Sequence, residues 1–156
     1  MIETKEEKKV VHIDMDGVIS NFSKGVTDYW KKHHNRYKKY TEPDGIHGIF
    51  RDLEPIEGAI EAINKLAESG KYELYIATTA PWGNPEAATD KRYWIENHFG
   101  ELFQKRLTIT HHKDMLYGDY LIDDRTKNGA GGFRGTLLQF GTETFPNWES
   151  ILKYLL

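Results

Sequence analysis

The sequence contains no cysteine, which excludes disulfides, thiolate metal sites and a cysteine nucleophile together. No apolar run approaches the roughly 18 residues that span a membrane, and the opening Met1 to Lys9 is charged rather than signal-like. A soluble, cytoplasmic protein is the expectation. Neither sign of charge dominates: 21 Lys+Arg stand against 24 Asp+Glu, a net charge of −3. That balance argues against a surface built for a nucleic-acid polymer. Internal repeats and low-complexity tracts are absent too. The 156 residues suffice for one domain with a real core and are too few for two large ones.

What is present is an alternation of short apolar runs and helical periods. Val10, Val11 and Ile13 read as a buried strand. Phe22, Val26, Tyr29, Trp30, His33 and Tyr37 recur at spacings of three and four, predicting an amphipathic helix over 21–39 with a basic outer face. Residues 41–48 carry Pro43, Asp44-Gly45 and Gly48 and read as a loop. A second helix is expected from Ile56 to the stop at Gly70, then a strand over 72–77 that ends at Thr78-Thr79. Beyond the loop 80–85, a helix closes near Phe99-Gly100. Short strands follow at 107–109, 120–122 and 136–140, and Pro146-Asn147 opens a last helix through Trp148, Ile151, Leu152 and Leu155. Residues 110–119 are barely long enough for a crossover between parallel strands, so one helical turn is expected there. Strands alternating with helices predict an α/β fold: a three-layer, Rossmann-like parallel sheet of about five strands with helices on both faces.

The polar residues gather at the predicted strand ends. Asp14 and Asp16 lie two apart at the end of the first strand, so extended chain points them the same way, and Gly17 follows at once. Thr78 and Thr79 end the second strand, Lys113 lies just beyond the third, and Asp123-Asp124 end the fourth. Strand ends of one sense share one edge of a parallel sheet, so groups scattered through the sequence converge. Taken singly, each has a plain structural explanation: a turn, a β-former, a solvated lysine, a surface ion pair. Together they make a hard-oxygen site suited to Mg²⁺, with a lysine and a hydroxyl to hold phosphoryl oxygens. One aspartate is left free to attack as a nucleophile.

This set resembles the haloacid dehalogenase-like superfamily, whose motifs run Asp-x-Asp, Thr or Ser, Lys, and an acidic pair. Three stretches resemble the 5′(3′)-deoxyribonucleotidases more closely: Asp14-Met15-Asp16-Gly17-Val18, Phe50 through Pro55, and Lys113 with Gly118 through Asp124. Lys91-Arg92-Tyr93-Trp94, His98-Phe99-Gly100 and Trp148 through Leu152 extend the likeness over almost the whole chain apart from the N-terminal tail and the segment around 22–48. The resemblance implies a Mg²⁺-dependent phosphomonoesterase acting on deoxyribonucleoside monophosphates through an aspartyl phosphate. Asp14 is then the nucleophile and Asp16 the general acid and base. Thr78 bonds the phosphoryl oxygens, and Lys113 neutralises charge. Mg²⁺ is held by Asp14, the Asp16 backbone carbonyl and Asp124, with Asp123 orienting a water on the metal or Lys113. Phe22 falls where the family places an aromatic against the base, and Thr79 joins the substrate contacts. The implied organisation is a tail over 1–8, a core over 9–19 and 51–156, and a small helical cap over 20–50. Two features depart from the vertebrate members: the insert is shorter, and their Thr-Ser-Pro stands here as Thr78-Thr79-Ala80-Pro81.

Other signals carry less. His33-His34 and His111-His112 are poor chelates, since neighbours on a helix point about 100° apart. The glycine-rich 129–135 lacks both the dinucleotide spacing and the Gly-Lys-Ser/Thr of a P-loop, and reads as a mobile loop after the acidic pair. Trp30 and Trp82 are candidates to flank a base. Three alternatives stay open: a phosphatase for another small ester such as a sugar phosphate, an inactive Mg²⁺- and phosphate-binding protein, and a phosphoryl-receiver domain. The last is disfavoured because Lys113 precedes Asp123-Asp124, whereas a receiver carries its lysine last. Among partners, a small-molecule substrate is expected, with no nucleic-acid polymer and no membrane, and a dimer is open.

Overall fold

Five parallel strands form one sheet in the order β3-β2-β1-β4-β5 in a computed structural model that describes residues 7–156. They are β1 (Lys9–Ile13), β2 (Tyr72–Thr78), β3 (Leu107–Ile109), β4 (Tyr120–Asp123) and β5 (Thr136–Gln139). The helices are α1 (Phe22–Lys32), α2 (Ala59–Glu68), α3 (Glu86–Phe99) and α4 (Trp148–Leu155). The chain builds outward from β1 to β3, then returns to β1's other side for β4 and β5. That reversal makes β1 the switch point, and the crevice at the carboxyl ends of β1 and β4 is where such sheets bind ligands. The doubly wound α/β architecture expected from the sequence is the one observed.

β1 is central and enclosed: on one face Val11 and Ile13 have no exposed surface, in line with Ile76, Ile122 and Leu138 on β2, β4 and β5, and on the other His12 is buried too. Each such apolar side chain contributes about 1.5–3 kcal/mol on burial. The β1–β4 register pairs Ile13 with Ile122, and the ladder continues as the Asp14 amide donates to the Ile122 carbonyl at 2.9 Å. A one-residue slip would turn Ile13 and Asp14 to the wrong faces.

Two elements differ from the sequence-based expectation, and the short link between β3 and β4 matches it. α1 stops at Lys32 rather than 39, because His34 and Asn35 take positive φ (53° and 57°), and the Asn35 amide turns back to the Trp30 carbonyl at 2.6 Å. Asn tolerates the left-handed region and so ends helices. α2 starts at Ala59, since Gly58 takes φ 78° and the Ile56 amide is bonded to the Ile19 carbonyl instead. Residues between β3 and β4 hold one 3₁₀ turn, Lys113–Met115, as their length required. That turn and a second at Ala130–Gly132 cover Leu121 of β4 with Phe133 and Leu116, where a longer crossover would have placed a helix.

The ends of the insert after β1 meet. The Asn21 amide donates to the Glu54 carbonyl and the Ile56 amide to the Ile19 carbonyl, both at 2.8 Å. Its far end is tied to the helix-α3 side: Asn84 Nδ2 donates to the Asp44 carbonyl at 3.0 Å, His47 pairs with Glu86, and Arg51 pairs with Asp90. At the other end of the fold, the Trp148 indole donates to the Val18 carbonyl at 2.8 Å, so α4 fixes the loop that follows β1. Asn147 and Ser150 close a capping box at the start of α4. Among the described residues, no helix is long and apolar enough to cross a membrane.

Candidate active site

The loop after β1 winds around one carbonyl. The amides of Val18, Ile19 and Ser20 all point at the Met15 carbonyl, at 2.8–3.0 Å, and Gly17 makes the turn at φ 81°. A side chain at Gly17 would strike the Asp124 carboxylate, so glycine is required both for the backbone and for the close approach. The result is that Asp14 and Asp16 leave the strand end together, beside Asp124.

Lys113 closes the site from the opposite side. Its turn is held by a 2.8 Å bond from its own amide to the Asn128 carbonyl. Its buried ammonium lies 2.9 Å from Asp14 Oδ1 and 2.6 Å from Asp123 Oδ2. Asp123 Oδ1 in turn accepts from the Arg125 amide at 2.9 Å. Both Asp123 oxygens are therefore engaged by the protein, whereas Asp124 Oδ1 is buried with no hydrogen-bond partner among the described residues.

Such crowding shifts the titration of these groups. Burial pushes the Asp14 carboxyl well above the ordinary carboxylate range; Lys113 opposes this, and Asp123 and Asp16 add to it. Asp124 is raised as well, by burial and then by Asp123. Burial alone would depress the Lys113 ammonium, but Asp14 and Asp123 outweigh it and hold its pKa above the ordinary lysine value. A cation among the carboxylates relieves this strain.

Asp14, Asp123 and Asp124 offer oxygens within 4.8 Å of one another, forming a metal-competent group among the described residues. All-oxygen donors suit a hard divalent cation. The Asp124 oxygen that has no hydrogen-bond partner among the described residues is chemically suited to such a cation. The residues present fit a metal of this class.

The sequence-predicted residues distribute as follows. Asp14, Asp16, Lys113 and Asp123 surround a polar cavity of about 30 Å³ with Thr79 and Arg125. Asp16, Thr79, Arg125 and Asn128 also border a cleft of about 910 Å³, whose walls include Phe22, Phe50 and Trp82. Phe22 and Phe50 stack at 5.2 Å with an interplanar angle of 10°. Thr78 ends β2 with no exposed surface; its hydroxyl accepts from Lys91 at 2.8 Å, and its own proton has no acceptor among the described residues. Thr79 faces the site, but its hydroxyl donates to the Thr110 carbonyl at 2.8 Å. Trp30 does not reach the cleft. It is 5% exposed, packed edge-on to Tyr29 in the core, because the inward stripe of α1 that carries Val26 also carries it. The expectation that Trp30 flanks a base is corrected accordingly.

The sequence reading missed Lys91, Phe50 and Arg125 as site residues. Lys91 had a signal: Ala87, Asp90, Lys91, Trp94 and Ile95 trace one buried stripe of α3, so a lysine falls where an apolar residue belongs. Its ammonium binds Asp16 Oδ2 at 2.9 Å and the Thr79 carbonyl at 2.7 Å, besides Thr78.

Against known proteins, residues 33–145 match the family described as 5′ nucleotidase, deoxy (Pyrimidine), cytosolic type C protein. The chain is 45% identical over 154 residues to a protein of Vibrio phage KVP40 named as a 5′(3′)-deoxyribonucleotidase, covering 97% of this chain and 86% of that one. It is 32% identical over 105 residues to the cytosolic 5′(3′)-deoxyribonucleotidase of Homo sapiens, covering 67% of this chain and 47% of that one. In fold it is similar to a HAD-hydrolase of Bacillus subtilis bound to magnesium, with TM-score 0.64, 11% identity, and coverage of 96% and 99%. A haloacid dehalogenase-like protein of Streptococcus pneumoniae gives TM-score 0.54 at 15% identity, covering 95% of this chain and 91% of that one. At such identity the structural likeness speaks for the fold alone.

Proposed function

The chain belongs to the 5′(3′)-deoxyribonucleotidase family, and from that premise we propose that it is a Mg²⁺-dependent phosphomonoesterase of deoxyribonucleoside 5′- or 3′-monophosphates. The observation that carries the reading is the convergence of Asp14, Lys113 and Asp123 in one buried hydrogen-bonded cluster, in a polar cavity that shares Asp16, Thr79, Arg125 and Asn128 with an aromatic-walled cleft.

In this reading the cation is held by Asp14, Asp124 and the Asp16 backbone carbonyl. The Asp124 oxygen with no partner among the described residues supports Asp124 as a direct ligand, and the two occupied Asp123 oxygens support an orienting role for Asp123. Bound Mg²⁺ supplies charge neutralisation for the phosphoryl group and the carboxylates around it.

The remaining steps belong to the chain's own residues. Asp14 attacks phosphorus in line, forming a phosphorus–oxygen bond as the bond to the nucleoside oxygen breaks. Asp16 delivers a proton to that leaving oxygen. Water then attacks the aspartyl phosphate, Asp16 takes the water's proton, and the bond to Asp14 breaks to release inorganic phosphate. Lys113 keeps Asp14 aligned and offsets charge on the phosphoryl oxygens, while the Thr78 hydroxyl proton is available to one of them. Residues 20–50 act as a small cap: Phe22, stacked on Phe50, forms one wall against the base, and Trp82, 94% exposed, lines the same cleft. Flat aromatic walls favour a base over the sugar of a simple sugar phosphate.

The test is phosphate release from a panel of deoxyribonucleoside and ribonucleoside monophosphates and sugar phosphates, with Mg²⁺ or EDTA. The reading expects deoxyribonucleoside monophosphates to lead and EDTA to silence all activity. Preference for sugar phosphates would keep the chemistry and overturn the substrate class. No turnover by folded, metal-bound protein would overturn the enzyme reading in favour of a binding protein.

A further inference from the structure

Lys91 is a lysine with 1% exposure whose three ammonium protons are all spoken for: Asp16 Oδ2, Thr78 Oγ1 and the Thr79 carbonyl, at 2.9, 2.8 and 2.7 Å. The same nitrogen lies 4.7 Å from the centroid of the Phe50 ring, on the wall of the cleft. Lys91 itself lines neither the polar cavity nor the cleft. Whatever it does for the reaction, it does through its partners.

The partners are unequal in their need for it. The end of β2 is already fixed without Lys91, because the Thr110 amide donates to the Thr78 carbonyl at 2.9 Å and the Thr79 hydroxyl to the Thr110 carbonyl. Asp16 is different. It sits on the loop beyond β1, is partly exposed to the cavity, and among the described residues its carboxylate accepts one further hydrogen bond, from Ser20 Oγ to Oδ1 at 3.1 Å. A charged, fixed donor is stronger than a neutral hydroxyl at longer distance. Lys91 is therefore what sets the direction of Asp16.

Burying an ammonium on a helix stripe that an apolar side chain could fill is costly to stability. Such a residue is retained where its geometry is used. We propose that Lys91 is a positioning residue: by tying Asp16 to the end of β2 beneath Phe50, it holds the Asp16 carboxyl at the oxygen of the leaving group. The proposal rests on the phosphatase reading above. It concerns the proton that passes from Asp16 to the departing nucleoside oxygen as the phosphorus–oxygen bond to Asp14 forms.

Leaving-group basicity separates this role from a merely structural one. A nucleoside alkoxide needs that proton, whereas p-nitrophenolate is stable enough to leave without it. The constant kcat/KM reports events up to formation of the aspartyl phosphate and excludes its later hydrolysis. Wild type, Lys91→Met, Asp16→Asn and the double variant are compared on deoxyuridine monophosphate and on p-nitrophenyl phosphate, both with Mg²⁺. Thermal unfolding of each variant is recorded alongside.

The expected result is a fall of about 10²-fold or more in kcat/KM for the nucleotide in Lys91→Met, with p-nitrophenyl phosphate changed only severalfold. Adding Lys91→Met to Asp16→Asn should cost nothing further on the nucleotide, since both remove one function. Equal losses on the two substrates, or additive losses in the double variant, would overturn the proposal while leaving the phosphatase reading intact. Wild type inert on both would overturn that reading and the proposal with it. If Lys91→Met does not fold, Lys91→Gln takes its place: it is neutral and has two N–H donors where the ammonium has three, so it cannot reproduce the charged three-way contact, and the same selective loss is expected.

Discussion

Lys113 Nζ lies 2.9 Å from Asp14 Oδ1 across 99 residues of chain, and the same nitrogen lies 2.6 Å from Asp123 Oδ2. One ammonium thus serves two carboxylates, with a third, Asp124, beside them. The cluster is short of positive charge, and its chemistry follows from that shortage.

Metal should stabilise the fold, and more so at neutral than at acid pH. The pKa values of Asp14 and Asp124 are raised in the folded protein. A raised carboxyl favours the fold fully below its unfolded value and loses that contribution as pH rises through the folded value, so the metal-free protein is penalised at neutral pH. Mg²⁺ at 100 times its dissociation constant would add about 2.7 kcal/mol, or roughly 5–10 °C in Tm for a chain of this length. Thermal melts with Mg²⁺ and with EDTA at pH 7.5 and pH 5 check this. The increment should shrink at pH 5, where protons compete for the same oxygens, and vanish in Asp124→Asn.

Gly17→Ala should damage the metal site rather than the core. The new methyl would press on the Asp124 carboxylate, and φ 81° is unfavourable for any L side chain. The backbone term alone costs about 1–2 kcal/mol. Isothermal titration with Mg²⁺ should show weakened binding, together with a lowered Tm. Unchanged metal affinity would contradict the placement of Asp124 as a ligand.

Trp82→Ala should weaken nucleotide binding with little effect on stability. The side chain is 94% exposed on the rim of the cleft, so the fold loses almost no burial. Stacking on a base is worth about 1–3 kcal/mol, which corresponds to a KM increase of roughly 5- to 150-fold. Steady-state kinetics on a deoxyribonucleoside monophosphate, with melting curves as control, measure both halves. The smaller p-nitrophenyl phosphate should be less affected.

The sheet was legible because its strands are short apolar runs bounded by turn residues, and the site because four of the five strands carry a polar group at or just beyond the same end. Asp14, Thr78, Lys113 and Asp123 needed only the parallel topology to bring them to one edge. Other features depend on facts that period and composition do not carry. The end of α1 is decided by positive φ at His34 and Asn35, although the apolar spacing runs on to Tyr37. Trp30 and Trp82 are the same residue type near the same insert, yet one is core and the other rim; which is which depends on how the helix face meets the sheet. A helical lysine is ordinarily solvated, so Lys91 is marked only by its place on the buried stripe of Ala87, Trp94 and Ile95.

The central claim is that Asp14 forms a covalent bond to phosphorus. The most direct measurement is acid quench of wild type and Asp14→Asn during turnover of a deoxyribonucleoside monophosphate with Mg²⁺, followed by peptide mass spectrometry. The account predicts a phosphoryl group on the peptide containing Asp14 in wild type, absent with EDTA and absent in Asp14→Asn, whose phosphate release falls to background. Steady phosphate release by Asp14→Asn, or a phosphoryl group found on another residue, would contradict it.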